Sequence, residues 1–180
     1  ATVESLHDAL IEAMKIPGQE GYERRVAVLD PVVRSVFDFR TVSRLVLGAH
    51  WRDAEADQRE AFVDVFSRYS VANYAAEFAS YSDHVFRTVE TIEQRRGVMV
   101  VRSTLESGGG ETHRFDYQLR SREDRWLIFG VAVDGVNDIA MKRSQYKSVI
   151  KRDGLDALLE TLEEKIRAFE RGVDVEDVDD

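Results

Sequence analysis

The residue types that could do chemistry are few and scattered. Four histidines occur, His7, His50, His84 and His113. No two are spaced as His-x-x-x-His, and none has carboxylates beside it in a metal-binding pattern. A surface or core-edge position accounts for each of them. His113 stands out because it leads the aromatic face of a strand, yet a histidine without a placed partner supplies no general acid or base. No serine lies in a Gly-x-Ser-x-Gly setting, so nucleophilic hydrolysis has no support. The chain has no cysteine, which excludes disulfides, thiolate nucleophiles and thiolate-bound metals. Gly108–Gly110 lies between two strand patterns and lacks the Lys-Ser/Thr and helix of a phosphate loop, so it reads as a hairpin loop. Asp53, Glu55, Asp57 and Glu60 gather at the start of a helix, where the positive helix end favours acids. The acidic stretch Asp174 to Asp180 has neither the glycine nor the spaced oxygen ligands of a calcium loop. No catalytic residue, metal or cofactor is therefore expected.

What does need explaining is apolar, and it lies in Leu47 to Tyr81. Phe62, Val65, Phe66 and Tyr69 follow the spacing of one buried helix face. A second row, Val63, Ser67, Val71, Tyr74, Phe78 and Tyr81, runs about 100° round the same helix. Only Asp57, Glu60, Asp64 and Arg68 form a polar strip. One apolar stripe covers an ordinary core, so the second row faces a cavity, a partner or a second core layer.

The elements that must position this helix follow in order. Residues 4–15 read as a short amphipathic helix ending at Pro17-Gly18. Glu20 to Phe37 is a second helical stretch, with Pro31 predicting a kink or two shorter helices. Phe39 to Leu47 is a third, stopped by Gly48. The long helix follows, with Asp53 as the expected cap. After Tyr81 the period becomes two. Strand patterns over 85–91, 98–102, 112–119 and 126–133, joined by short turns, predict antiparallel hairpins. The runs from Val98 and Trp126 are apolar on both faces, which predicts cover on both faces. Asp134-Gly135 turns the chain into helix 137–150, and Asp153-Gly154 precedes helix 155–170. Helices, antiparallel sheet and helices again make an α+β domain, and a curved sheet roofed by helices encloses a pocket.

Composition agrees with one domain over residues 1–171 and an acidic, disordered tail over 172–180. The 43% hydrophobic and 33% charged content is that of a globular protein. No run of about 18 apolar residues is present to span a membrane. Thirty-four acidic against 25 basic residues give a net charge of −9, which argues against a primary nucleic-acid binder. The absence of cysteine and the start at Ala1 suit an exported protein whose signal peptide has been removed.

Two segments resemble the MlaC, or toluene-tolerance, family of ABC-transporter auxiliary components. The first is Leu47-Gly-x-x-Trp51-Arg, followed by Gln58-Arg-x-x-Phe62-x-x-x-Phe66-x-x-Tyr69 and Tyr74. The second runs from Trp126-Leu-Ile-Phe129 through Val133-Asp134-Gly135-Val136 to Arg143-Ser-Gln-Tyr146 and Gly154-Leu155-x-x-Leu158. The likeness covers about Val26 to Phe169. It departs from the family at Glu55-Ala56, where Thr-Pro is usual, at Asn137 for Ser and at Tyr146 for Phe. The run VDGVNDIAMKRSQYKSVIKRDGLDAL is most similar to the hopanoid-associated HpnM branch.

The resemblance implies a monomeric periplasmic lipid carrier with an NTF2-like sheet. Its partners would be a phospholipid or hopanoid and membrane-bound ABC-transporter or MCE-type complexes. One wall of the pocket is then expected from Trp51, Phe62, Phe66, Tyr69 and Tyr74. The other is expected from Val98, Val100, Phe115, Tyr117, Leu119, Phe129 and Val131, with Tyr146 and Ile150 near the closing helices. Plain core packing accounts for any one of these residues equally well. Arg44, Arg52, Lys142 and Arg143 are candidates for meeting an anionic headgroup, against simple solvated charge. Two other readings stay open. One is an enzyme with an NTF2-like pocket using His113 or Asp116 with Tyr117; the other is an adaptor with a flat apolar patch for a partner protein.

Overall fold

A computed structural model describes residues 1–173; the acidic stretch from Asp174 onward lies outside the described residues. The chain runs through helices α1 (Thr2–Met14), α2 (Tyr22–Val36), α3 (Phe39–Leu47), α4 (His50–Asp53) and α5 (Ala56–Glu77). Strands β1 (Val85–Gln94), β2 (Val98–Glu106), β3 (Thr112–Arg122), β4 (Arg125–Val133) and β5 (Val136–Asn137) follow, and then α6 (Asp138–Asp153) and α7 (Leu155–Arg171). The strands form one antiparallel meander in sequence order. The expected α+β fold, an antiparallel sheet with helices before and after it, is the observed one.

Cross-strand register sorts the sheet into two unlike faces, because directly opposed residues point the same way. Tyr117 opposes Val101 and Val131, and Leu119 opposes Met99 and Ile128. This inner face meets the helices: His7 of α1 stacks on Phe86 at 3.9 Å and its Nε2 lies 3.1 Å from the Tyr117 hydroxyl. Gln118 opposes Val100 and Arg120 opposes Val98, so both valines stand on the other face. There Arg102 donates to Glu90 at 2.9 Å and to Asp116 at 2.8 Å. The expected cover on both faces is replaced over β1 to β3 by this ladder of ion pairs. Val100 is still buried, between its cross-strand neighbours Ile92 and Gln118. An apolar strand position can thus be shielded by flanking side chains without a second layer of helices.

The helix boundaries correct two expectations. Of the two outcomes expected at Pro31, two shorter helices do not form: α2 runs as one helix from Tyr22 to Val36. Asp53 does not cap α5: it ends α4, and Glu55 takes the position instead, its N–H donating to Gln58 Oε1 at 3.1 Å. The residues of the Gln58-Arg59 motif prove to be corner fittings. Gln58 Nε2 donates to Asp156 of α7, while Arg59 Nε donates to the Trp51 carbonyl at 2.7 Å. The guanidinium groups of Arg40 and Arg59 lie 5.7 and 5.6 Å from the Trp51 ring, one cation–π contact each.

A buried cation ties two helix ends together. Arg25 is 1% exposed and pairs with no carboxylate among the described residues; it donates to the carbonyls of Ile16 and Gly18 after α1 and of Ala75 near the end of α5, at 2.7, 2.8 and 2.6 Å. Carbonyls at helix C-termini lack intrahelical donors and carry partial negative charge, so the guanidinium satisfies them while they stabilise it. Desolvation lowers its pKa, against the pull of Tyr22 and Glu20.

Two stability predictions follow from these groups. Arg25→Met takes the guanidinium from three carbonyls, of which, among the described residues, Gly18 alone keeps a second donor, the Gly21 N–H, and should cost about 3 kcal/mol or more in urea unfolding. For His7, burial lowers the pKa from 6.5 to about 4. Protonation therefore favours the unfolded chain. The stabilising contribution is whole above pH 6.5 and is lost as pH falls toward 4, by about 3 kcal/mol. His7→Gln should lose correspondingly less stability between pH 7 and pH 4 than the unsubstituted protein. Equal losses would detach the effect from His7.

Candidate functional site

Helix α5 carries the site because three different surroundings meet along it. On one side Ser67 accepts from Arg34 of α2 at 2.7 Å, and the nearby Val71 is buried. On another, Arg68 pairs with Glu163 of α7 through both terminal nitrogens. On the third, Phe66, Tyr69, Ser70, Asn73, Tyr74, Glu77 and Phe78 line a cavity of about 330 Å³. The facing wall is Phe115 of β3 with Phe129, Gly130, Val131 and Val133 of β4. Phe37, Phe39 and Val42 close one end, and Val136, Asp138, Ile139, Met141 and Lys142 close the other.

Local contacts hold each wall in place. The α2–α3 corner is stitched to β4 by a parallel bridge between Phe37 and Ile128, where the Asp38 N–H donates to the Ile128 carbonyl at 2.8 Å. Asp38 also accepts from the Thr41 N–H at 3.0 Å, starting α3. Phe39 meets Phe66 edge to face at 6.2 Å, and Tyr146 of α6 meets Phe62 and Phe66 the same way at 6.2 and 6.4 Å. At the far end Asp134 and Gly135 turn the chain, both with positive φ. The Asp134 carboxylate accepts from the Arg114 N–H at 2.8 Å and lies 2.8 Å from His113 Nδ1. Those two bonds hold its pKa below the usual carboxylate range.

The residues singled out in the sequence divide between cavity and core. Phe66, Tyr69, Tyr74, Phe115, Phe129 and Val131 line the cavity. Phe62, Tyr117, Leu119 and Tyr146 lie in the packed core around it, and Trp51 is buried at the α4 corner. Ile150 packs at the core edge, while Val98 and Val100 stand on the outer sheet face. Lining residues absent from the expectation include two kinds on the helices before the sheet. Phe37, Phe39 and Val42 sit at a helix junction, where periodicity is interrupted. Ser70, Asn73 and Glu77 are polar, and a search for apolar rows passes over them. The actual cavity row of α5 is Phe66, Tyr69/Ser70, Asn73/Tyr74 and Glu77, a regular i, i+3, i+4 face of mixed polarity.

The lining has one chemically distinct region. Glu77 of α5 and Asp138 and Lys142 of α6 are the charged residues of the lining, and Lys142 pairs with Asp138. Desolvation raises the Glu77 pKa, partly offset by a hydrogen bond from Asn73 and by Lys142. Burial pushes the Tyr74 hydroxyl up, as do Asp138 and Glu77. Elsewhere the wall is aromatic and aliphatic. The residues named for an enzyme do not converge. His113 is exposed and held by Asp134, Asp116 is paired with Arg102 and Arg114 on the outer face, and Tyr117 is bonded to His7 in the core. No group of three or more metal-ligating side chains forms among the described residues. No helix of the described residues is long and apolar enough to cross a membrane.

Comparison with known proteins places this architecture. A solved structure from Ralstonia solanacearum, a phospholipid-binding protein in complex with a phospholipid, superposes with a TM-score of 0.80 over 93% of this chain and 96% of that one. At 22% identity the likeness is one of fold. The family model described as MlaC protein matches residues 4–164, most of the chain. The chain belongs to the MlaC family.

Proposed function

We propose that the protein is a lipid carrier, with the cavity between α5 and β4 as the place where acyl or polycyclic hydrocarbon is held. The observation that carries this reading is the cavity itself: about 330 Å³, walled by Phe37, Phe39, Phe66, Phe115, Phe129 and Val131. Such a site gains affinity without chemistry, at about 0.8 kcal/mol per buried methylene. The Ralstonia protein of the same fold holds a phospholipid, which supports phospholipid as the cargo class. The likeness of residues 133–158 to the HpnM branch supports a hopanoid as the alternative cargo. Family membership supports the wider role, in which the protein moves lipid through the periplasm between membrane-bound ABC-transporter or MCE-type complexes of the envelope. Trp51, Phe62, Tyr117, Leu119, Tyr146 and Ile150 then act as the frame of the pocket, with Val98 and Val100 behind the sheet.

Organic extraction of purified protein followed by lipid mass spectrometry tests the class and the cargo together. A phospholipid or hopanoid near one equivalent per chain is expected; protein that is lipid-free and takes up no added fluorescent lipid would sink the proposal. A second measurement addresses the wall. Asn73→Trp fills the cavity from α5 and should weaken uptake about tenfold or more, since it displaces several methylenes' worth of contact. Phe66→Asp, which places a charge in the same wall, should abolish uptake. If either variant keeps its far-UV circular dichroism and binds undiminished, α5 is not the lipid wall.

A further inference from the structure

The charges at the cavity's α6 end say which polar group fits beside the hydrocarbon. Of the residues lining the cavity, two carry negative charge, Glu77 and Asp138, and one carries positive charge, Lys142. The cation is already engaged: its ammonium group pairs with Asp138 one turn earlier on α6, and the lysine side chain is only 16% exposed. Glu77 lies across the cavity on α5, close enough for both charges to act on its carboxyl. It is the surplus charge.

The backbone donors that would otherwise hold an anion are also occupied. A helix N-terminus attracts phosphate through its free N–H groups, and α6 begins at this cavity wall. Its first turn, however, is capped from within: Asn137 Oδ1 accepts from the Ala140 N–H at 3.0 Å, and Asp138 puts a carboxylate at the positive end. The other cations expected at the mouth are turned elsewhere. Arg143 Nε donates to the Leu45 carbonyl at 2.6 Å, and neither it nor Arg44 nor Arg52 lines the cavity.

We infer that the cavity selects lipids whose polar end bears an ammonium group, which Glu77 receives, over lipids whose polar end is purely anionic. This inference rests on the proposed lipid-carrier function and specifies its cargo. A carboxylate at a partly desolvated rim attracts a nearby ammonium and repels a phosphate more strongly than it would in open water. Burial raises the Glu77 pKa, and an arriving ammonium acts on it in the opposite direction, as Lys142 already does.

Two fluorescent phospholipids with the same labelled acyl chains, one a phosphatidylethanolamine and one a phosphatidylglycerol, test this by direct titration at low and high salt. The ethanolamine lipid should bind about fivefold more tightly at low salt, with the ratio shrinking as salt rises. Glu77→Gln should bring the ratio toward one by raising affinity for phosphatidylglycerol. Equal or tighter binding of phosphatidylglycerol by the unsubstituted protein, or a ratio unmoved by Glu77→Gln, would overturn the inference while leaving the carrier reading in place. Binding of neither lipid would sink both.

Discussion

The constraint on which the structure depends is that one helix, α5, has to be a neighbour to everything. The sheet turns a single face to the helices and its other face to solvent, so the helical layer has one surface to lie on. Helices α2, α3 and α7 all reach their places against α5. Its sequence is accordingly apolar over most of its circumference, and no single stripe dominates. At its C-terminal end, where a helix most readily frays, the carbonyl of Ala75 is held by the buried Arg25. That bond connects the end of α5 to the end of α1 through one side chain. Burying a guanidinium is costly by itself; here the carbonyls of Ile16, Gly18 and Ala75 accept from it.

A cavity follows from that arrangement. A helix that packs on both flanks cannot also settle fully onto β4, because its height above the sheet is set by α2 and α7. The stitched corner at Phe37–Asp38 fixes one end of the gap and the Asp134-Gly135 turn with α6 fixes the other. Aromatic rings line the space between because they reach far from the backbone while staying rigid. Tyr146 shows the division of labour: its ring braces Phe66 from behind, and Phe66 in turn presents its other side to the cavity.

Much of the fold was legible from the residues, and the reasons for the misses are physical. The change of period after Tyr81, the turns at Gly108–Gly110 and Asp134-Gly135, and the strong stripe of α7 each report a local preference, and each stands where expected. The excess of apolar surface on α5 was legible too. Its destination was not: Val63, Ser67 and Val71 share a row with Tyr74 and Phe78 on a helical wheel, yet Ser67 and Val71 pack inward and Tyr74 and Phe78 reach the cavity. A wheel gives angles around one axis and not what lies along it. The outer-face position of Val98 and Val100 depends on register with β3, a pairing between distant residues that an apolar run does not encode. Asn73 and Glu77 carried no signal, since on a helix each looks like ordinary solvated polarity, and Lys142 was legible only as one of four cations that could meet a headgroup. The motif residues Trp51, Gln58 and Arg59 marked the family without marking the cavity, because they build the corner from which α5 starts.

The dimensions of the cavity bear on how a carrier of this build would work. For a bulky lipid in a cavity of about 330 Å³, capacity depends on which wall can give way. Of the walls, α5 is tied on its flanks and by Arg25, and β3–β4 is fixed by the sheet. On the side formed by β5 and α6 the ties are unequal: β5 pairs through Ala132 and Val133 alone and Val136 and Met141 are about half exposed, while α6 is held through the buried Tyr146 and against α3 and α7. The affinity of such a pocket for a large lipid is its intrinsic affinity reduced by the cost of opening. A docking partner that favours the open form changes that cost, and with it whether lipid is taken up or released. The same segment carries Asp138 and Lys142, so an outward movement of α6 would also separate them from Glu77. The headgroup charge proposed above is thus set by two elements, Glu77 on α5 and the Asp138–Lys142 pair on α6, and because α6 also bounds the hydrocarbon a change on α6 acts on both.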